Sequence, residues 1–170
     1  WNYGIDEDYL PWGQPWRSIT INAGATYTTS RWVTLTLSAD DWGSGVRWMR
    51  FSNNIGATWS AWVAYATTYS YYMANPGDGY KYVDVQYADY WMQTSTYLGI
   101  FDGITLDTTA PTGSIIINSG NPAYTTSTSV TLYLTYSDAT SGVDQVRFQN
   151  AGGAWSAWMA PSATKAWTLV

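Results

Sequence analysis

The sequence predicts an all-β chain, built of antiparallel β-sandwiches in tandem with the second one incomplete. Three observations predict it. A long stretch of sequence repeats in order; apolar and polar residues alternate with period two in short runs; and Gly-rich turns, not helical periods, separate those runs.

The repeat sets the organisation. Ser18-Ile19-Thr20-Ile21-Asn22 returns as Ser114-Ile115-Ile116-Ile117-Asn118, and Tyr27-Thr28-Thr29-Ser30 as Tyr124-Thr125-Thr126-Ser127. Val33-Thr34-Leu35-Thr36-Leu37 matches Val130-Thr131-Leu132-Tyr133-Leu134. Asp41 with Ser44-Gly45-Val46 matches Asp138 with Ser141-Gly142-Val143. Arg50-Phe51 matches Arg147-Phe148, and Trp59-Ser60-Ala61-Trp62 matches Trp155-Ser156-Ala157-Trp158. The offset stays at 96 or 97 (114 − 18 = 96; 130 − 33 = 97). A period of this length suits one sandwich per repeat, since such a domain takes roughly 100 residues. A complete repeat is expected over 16–111 and a second over 112–170, ending before the counterpart of Gly77-Asp78-Gly79. Residues 1–15 read as the terminal strand of a preceding repeat or as a donor strand, because Gly4-Ile5-Asp6 echoes Gly99-Ile100-Phe101-Asp102.

Each element follows from its pattern. Ile19 and Ile21 share one face of a strand and Thr20 the other. Val33, Leu35 and Leu37 alternate with Thr34 and Thr36; Met49 and Phe51 flank Arg50; Val83, Val85 and Tyr87 alternate with Asp84 and Gln86. Gly43-Ser44-Gly45, Asn75-Pro76-Gly77-Asp78-Gly79 and Gly152-Gly153 mark turns. Asp107-Thr108-Thr109-Ala110-Pro111 reads as the junction between repeats, because Pro111 cannot donate to a ladder.

Composition narrows the function. Cys and His are both absent, so neither a disulfide framework nor a thiolate or imidazole metal site is available. The net charge of −5 and the scattering of seven basic residues argue against nucleic acid. No run of 18 apolar residues occurs, so no membrane span is expected. No signal peptide is visible, and the start at Trp1 leaves room for a leader or a preceding region. Without a His base, a Cys nucleophile or a phosphate-binding glycine loop, the chain reads as non-catalytic.

The Asp-x-x-Ser-Gly-Val turns at Asp41 and Asp138, Arg-Phe leading to Trp-Ser-x-Trp, Gly77-Asp78-Gly79 before a Val-x-Val strand, and the Asp-Thr-Thr-Ala-Pro junction form a set. In these motifs the chain resembles bacterial and archaeal immunoglobulin-like, or fibronectin-type-III-like, tandem surface repeats. The resemblance implies extracellular arrays in large surface, adhesive or fibre-forming proteins, and no chemistry. One segment departs from the family pattern, since Asp89-Tyr90-Trp91-Met92-Gln93 places aromatics where such repeats carry small turn residues.

Twelve Trp and 15 Tyr exceed what a core of this size buries. Strand parity turns Trp32, Trp48, Tyr80, Tyr82 and Tyr133 outward, and these form the candidate contact surface, for neighbouring repeats, further copies of the chain or glycans. Trp59, Trp62, Trp155 and Trp158, with Phe51 and Phe148, form the repeat-core motif. Positions i and i+3 of a strand face opposite sides, so one Trp of each pair is expected inside and one outside. Asp40 and Asp41, near Ser44, and Asp6-Glu7-Asp8 are the best acidic clusters for calcium, against the simpler reading that Asp41 and Asp138 cap local turns. The functional expectation is an extracellular structural subunit of a filament, surface layer or surface-protein array. Edge-strand pairing is to assemble it, with residues 1–15 as the strand donor to another copy. An adhesin or carbohydrate-binding module, or a spacer in a large secreted enzyme, are the alternatives.

Overall fold

The structure, a computed structural model, describes residues 17–41, 43–95, 100–120 and 124–170. It is all-β: eleven strands and two single 3-10 turns are described. No described helix is long and apolar enough to cross a membrane. The chain divides into two compact units, one ending at Thr108 and one starting at Thr109.

In the first unit, β1 (Ser18–Ile21), β3 (Trp32–Ser38) and β6 (Thr68–Tyr72) form one sheet in the order β1-β3-β6. A second sheet has the order β2-β8-β7-β4-β5, from β2 (Tyr27–Thr28), β4 (Val46–Ser52), β5 (Val63–Ala64), β7 (Gly79–Asp89) and β8 (Phe101–Leu106). All pairings are antiparallel except the two-residue pair β2–β8, which is parallel. One core joins the two sheets, with Ile19, Ile21, Val33, Leu35 and Leu37 from the first and Met49, Phe51, Val83, Val85, Tyr87, Ile104 and Leu106 from the second. The period-2 pattern is obeyed most cleanly in β3, where Val33, Leu35 and Leu37 are buried and Trp32, Thr34 and Thr36 are exposed. Burying a side chain of this size is worth about 1.5–3 kcal/mol.

Two side-chain oxygens tie the first unit together across long separations. Ile21 N–H donates to Asp102 Oδ2 at 2.7 Å, which links β1 to β8. Asp78 Oδ1 accepts from Thr108 N at 2.8 Å and Thr108 Oγ1 at 2.7 Å. The Gly-Asp-Gly turn therefore holds the junction segment against the first unit up to Thr108, while the expected repeat boundary falls at Pro111.

The second unit has one three-stranded antiparallel sheet, β11-β10-β9, from β9 (Thr112–Ile117), β10 (Ser129–Ser137) and β11 (Thr164–Thr168). These strands are the counterparts of β1, β3 and β6 at the repeat offset. The counterpart of β4 is not a strand: its one ladder contact among the described residues is the isolated bridge Val146↔Met159. Phe148 from this segment joins Val130 and Leu132 in a small core, with Leu134, Val146, Met159, Trp167 and Leu169 packed around it.

The repeat recurs as geometry in its turns. Asn22 and Ala23 have φ of 47° and 55°, and Asn118 and Ser119 have 47° and 60°, each pair followed by a left-handed Gly. Asn adopts this region more readily than most residues. It is held there because Asn22 Oδ1 accepts from Thr34 N at 2.9 Å and Asn118 Oδ1 from Thr131 N at 3.0 Å. Thr28 and Thr125 cap their own turns in the same way, each hydroxyl accepting from the backbone N–H two residues on, at Ser30 and Ser127.

Candidate contact surface

Trp32 projects from β3 and is 61% exposed. Its cross-strand partner on β6 is Tyr72, the ring centroids 5.1 Å apart, and the Arg31 guanidinium lies 4.6 Å from the Tyr72 ring. Arg31 is fixed by its donor Nε, 2.9 Å from Met73 O, and by a further bond to Ala74 O. The result is an aromatic patch on the outer face of the three-stranded sheet, its two rings tilted by 49°.

Trp48 belongs to the other sheet. A register shift between Val46 and Trp48 places Arg47 beside it, with the guanidinium 5.7 Å from Trp48 and 5.0 Å from Tyr90. Tyr90 meets Trp91 edge-on at 5.2 Å. The turn that carries them is held by Asp89 Oδ1, which accepts from Trp91 N and Gln93 N at 2.8 Å each. The aromatic substitution in this turn thus leaves an Asx-type turn in place, and it exposes Tyr90, Trp91 and Met92.

Tyr80 and Tyr82 lie on β7. The Tyr80 ring covers Gly103 on β8 so closely that an added Cβ there would collide with the Tyr80 hydroxyl. Tyr133 projects from β10 in the second unit, opposite Ile116 and Thr164. The four expected contact residues of the first unit therefore do not form one site. Trp32 lies on one sheet of the first unit, Trp48, Tyr80 and Tyr82 on the other, and Tyr133 in the second unit.

The Trp-Ser-x-Trp motif departs from the expected in-and-out arrangement. Phe51 and Phe148 are core residues, but the tryptophans are not: Trp59 and Trp62 are half-buried, and Trp155 and Trp158 are 53% and 55% exposed. Both rings of each pair clasp the same arginine. The Arg50 guanidinium lies 5.0 Å from Trp59 and 4.5 Å from Trp62; that of Arg147 lies 4.6 Å from Trp155 and 4.4 Å from Trp158. The reason lies in the intervening serine. Ser60 Oγ accepts from Phe51 N at 3.0 Å while Ser60 N donates to Phe51 O at 2.8 Å, and Ser156 repeats this on Phe148 at 3.0 and 2.8 Å. A side-chain oxygen stands where a ladder carbonyl would, the regular strand is interrupted, and parity no longer separates the two rings.

The acidic turns are occupied by local bonds. Asp41 Oδ1 accepts from Gly43 N at 3.1 Å, and Asp138 Oδ1 accepts from the N–H groups of Thr140, Ser141 and Gly142 at 3.0, 3.0 and 3.3 Å. Ser44 Oγ lies 3.1 Å from Asp41 Oδ2 and 2.9 Å from Asp89 Oδ2, so its single proton serves two carboxylates. Asp40 Oδ1 accepts from Asp41 N at 2.9 Å. No cluster of three acidic side chains placed to hold a metal occurs among the described residues. Asp6-Glu7-Asp8 and the expected donor segment 1–15 lie outside the described residues.

Among the described residues, burial acts on the titration of Asp84, Tyr71 and Tyr87. Burial raises the Asp84 carboxyl above the usual carboxylate range, opposed by the Ile55 N–H bond. Asp84 is only 8% exposed although its strand parity is outward, and its Oδ2 has no hydrogen-bond partner among the described residues. Burial also raises Tyr71, with the nearby Asp84 charge adding to the effect. Tyr87 is raised well above the ordinary phenol range, first by burial and then by Tyr65. Its hydroxyl donates to Ser18 O at 3.2 Å, a bond between the two facing sheets. Neither the known family models nor the curated proteins contain a match to this chain.

Proposed function

We propose that the chain is a non-catalytic structural subunit of an extracellular filament, surface layer or long surface-protein array. Its modules read as immunoglobulin-like repeats, and assembly proceeds through sandwich packing, edge-strand pairing and outward aromatics. The observation that carries this reading is the fate of the repeated polar residues. Asn22 and Asn118, Thr28 and Thr125, Ser60 and Ser156, and Asp138 all direct their oxygens at nearby backbone N–H groups of their own unit. What recurs is scaffold together with the Trp-Ser-x-Trp pair, and what varies between the repeats is the outward aromatic at two strand positions: Trp32 stands against Ser129, and Trp48 against Gln145. Variable aromatic surface on a recurring frame suits contacts with different neighbours. Negative-stain electron microscopy of purified chain tests the proposal. Ordered fibres or sheets are expected, and a persistently monodisperse monomer at high concentration would overturn it.

The Trp32–Tyr72–Arg31 patch favours a second reading, a carbohydrate-binding module, because flat rings stack on sugar faces. A glycan array separates the two. Tight sugar binding that disappears in Trp32→Ala or Trp48→Ala would favour the module over the filament.

A further inference from the structure

The two repeats differ most where they should agree. Ile19 and Ile21 on β1 are 7% and 0% exposed, whereas their counterparts Ile115 and Ile117 on β9 are 53% and 42% exposed. Ile115 and Ile117 line a groove of about 410 Å³ with Leu132, Arg147, Phe148 and Trp167. In the first unit the same core is closed by the second sheet: β7 contributes Val83, Val85 and Tyr87 and reaches β1 through the Tyr87 hydroxyl, and β8 contributes Ile104 and Leu106 and bonds Ile21 through Asp102.

The backbone beside that groove is also open. In β4, Met49 pairs with Val63, while Phe51 exchanges bonds with Ser60; Arg50 faces Gln86 of β7. In the second unit Val146 exchanges bonds with Met159, and Phe148 with Ser156. Backbone groups alternate sides along an extended chain, so those of Gln145, Arg147 and Gln149 face the other edge, where no strand pairs among the described residues.

Arg147 supplies the polar half of the recognition. Its counterpart Arg50 is clasped by two Trp rings and donates from Nε to Gln86 Oε1 on β7 at 2.8 Å. Arg147 has the two rings and no acceptor among the described residues.

We propose that the open face of the second unit is an acceptor site for a single extended polypeptide strand with the chemistry of β7. That strand places apolar side chains at alternate positions over Ile115, Ile117 and Phe148. Between them it places a carboxamide or carboxylate opposite Arg147. The site deepens the edge-pairing part of the proposed function by naming what pairs, and it rests on that reading. It also redirects the donor. Residues 1–15 align with the end of the first repeat at an offset of 96, with Asp6 on Asp102, Leu10 on Leu106 and Pro15 on Pro111 (102 − 6 = 96). That is the position of β8, which pairs with β7 and β2 and never with β4. The place beside Arg147 and Phe148 belongs to a β7-like strand.

The test titrates the isotope-labelled 170-residue chain with a synthetic peptide of residues 80–89 and follows amide shifts by NMR. Saturable shifts at Ile115, Ile117, Arg147 and Phe148 are expected. The same peptide with Gln86→Ala should bind about tenfold more weakly, the cost of a lost bond to a charged donor. Three results would overturn the site: binding no tighter than a scrambled peptide, tighter binding of a peptide of residues 1–10, or shifts confined to the first unit. Peptide binding without fibres in the microscope would sink the filament and keep the acceptor, and fibres without peptide binding would do the reverse.

Discussion

Asp84 is the residue at which local pattern and environment disagree most. Alternation places it outward beside Gln86, yet it is buried with one oxygen unpartnered among the described residues. Burial raises its carboxyl in the folded state. The folded protein therefore holds this proton more tightly than the unfolded chain does. The stability this contributes is fully present below the unfolded value of about 3.9 and is lost as pH rises through the folded value. Asp84→Asn keeps an oxygen for the Ile55 N–H and removes the buried charge. Its melting temperature should exceed the parent's at pH 7, and the gap should shrink at pH 4, measured by thermal denaturation at both pH values. Arg50 makes the opposite kind of contribution. Removing it in Arg50→Ala uncovers Trp59 and Trp62 and frees Gln86 Oε1, a loss of about 1–2 kcal/mol in chemical denaturation. Neither effect is legible in the sequence, where Asp84 reads as solvent-facing and the Trp pair as half core.

Among the strands, β7 is the central one. It lies between β8 and β4 and contributes Val83, Val85 and Tyr87 to the core. A charge at its middle, as in Val85→Asp, would be buried without a partner and should abolish folding of the first unit, read as collapse of amide dispersion in NMR. The pairing of β7 with β8 contains a gentler case. Tyr80 reaches over Gly103, a glycine covered by a neighbouring ring. In Gly103→Ala the new methyl displaces the far end of a flexible side chain, not backbone. The change in stability should stay within about 1 kcal/mol while Tyr80 becomes more accessible to solvent, which solvent-perturbation absorbance detects.

Across the whole chain, the two units should differ in local stability. The first has a core fed by two sheets, and the second has Val130, Leu132 and Phe148 under a single sheet. Amide exchange in β10 should therefore be faster than in β3, its repeat counterpart, because few buried contacts and an open face lower the cost of local opening. Hydrogen-exchange mass spectrometry of the two strands checks this, and equal protection would mean that the second unit is covered in solution. The same experiment with the β7 peptide present should slow exchange in β10 and leave β3 unchanged.

Local chemistry repeats faithfully here because it is local. The Asn22 and Asn118 turns, the Thr caps and the Ser60 and Ser156 bonds need only residues a short way along the chain, so identical words yield identical geometry in both units. The all-β class and most strands were legible for the same reason: period-2 alternation is written into the runs of residues, and burial follows it most cleanly in β3. Core formation is a long-range matter. Ile21 and Ile117 occupy the same place in the same motif, yet one is sealed and the other is open. What separates them is the second sheet, whose strands β7 and β8 lie some sixty to eighty residues beyond Ile21 in sequence. The burial of Asp84 and the joint grip of two tryptophans on one arginine are likewise set by which strands meet. Hydrophobic burial depends on partners brought together from afar, and no single repeat carries the information about whether its partner is present.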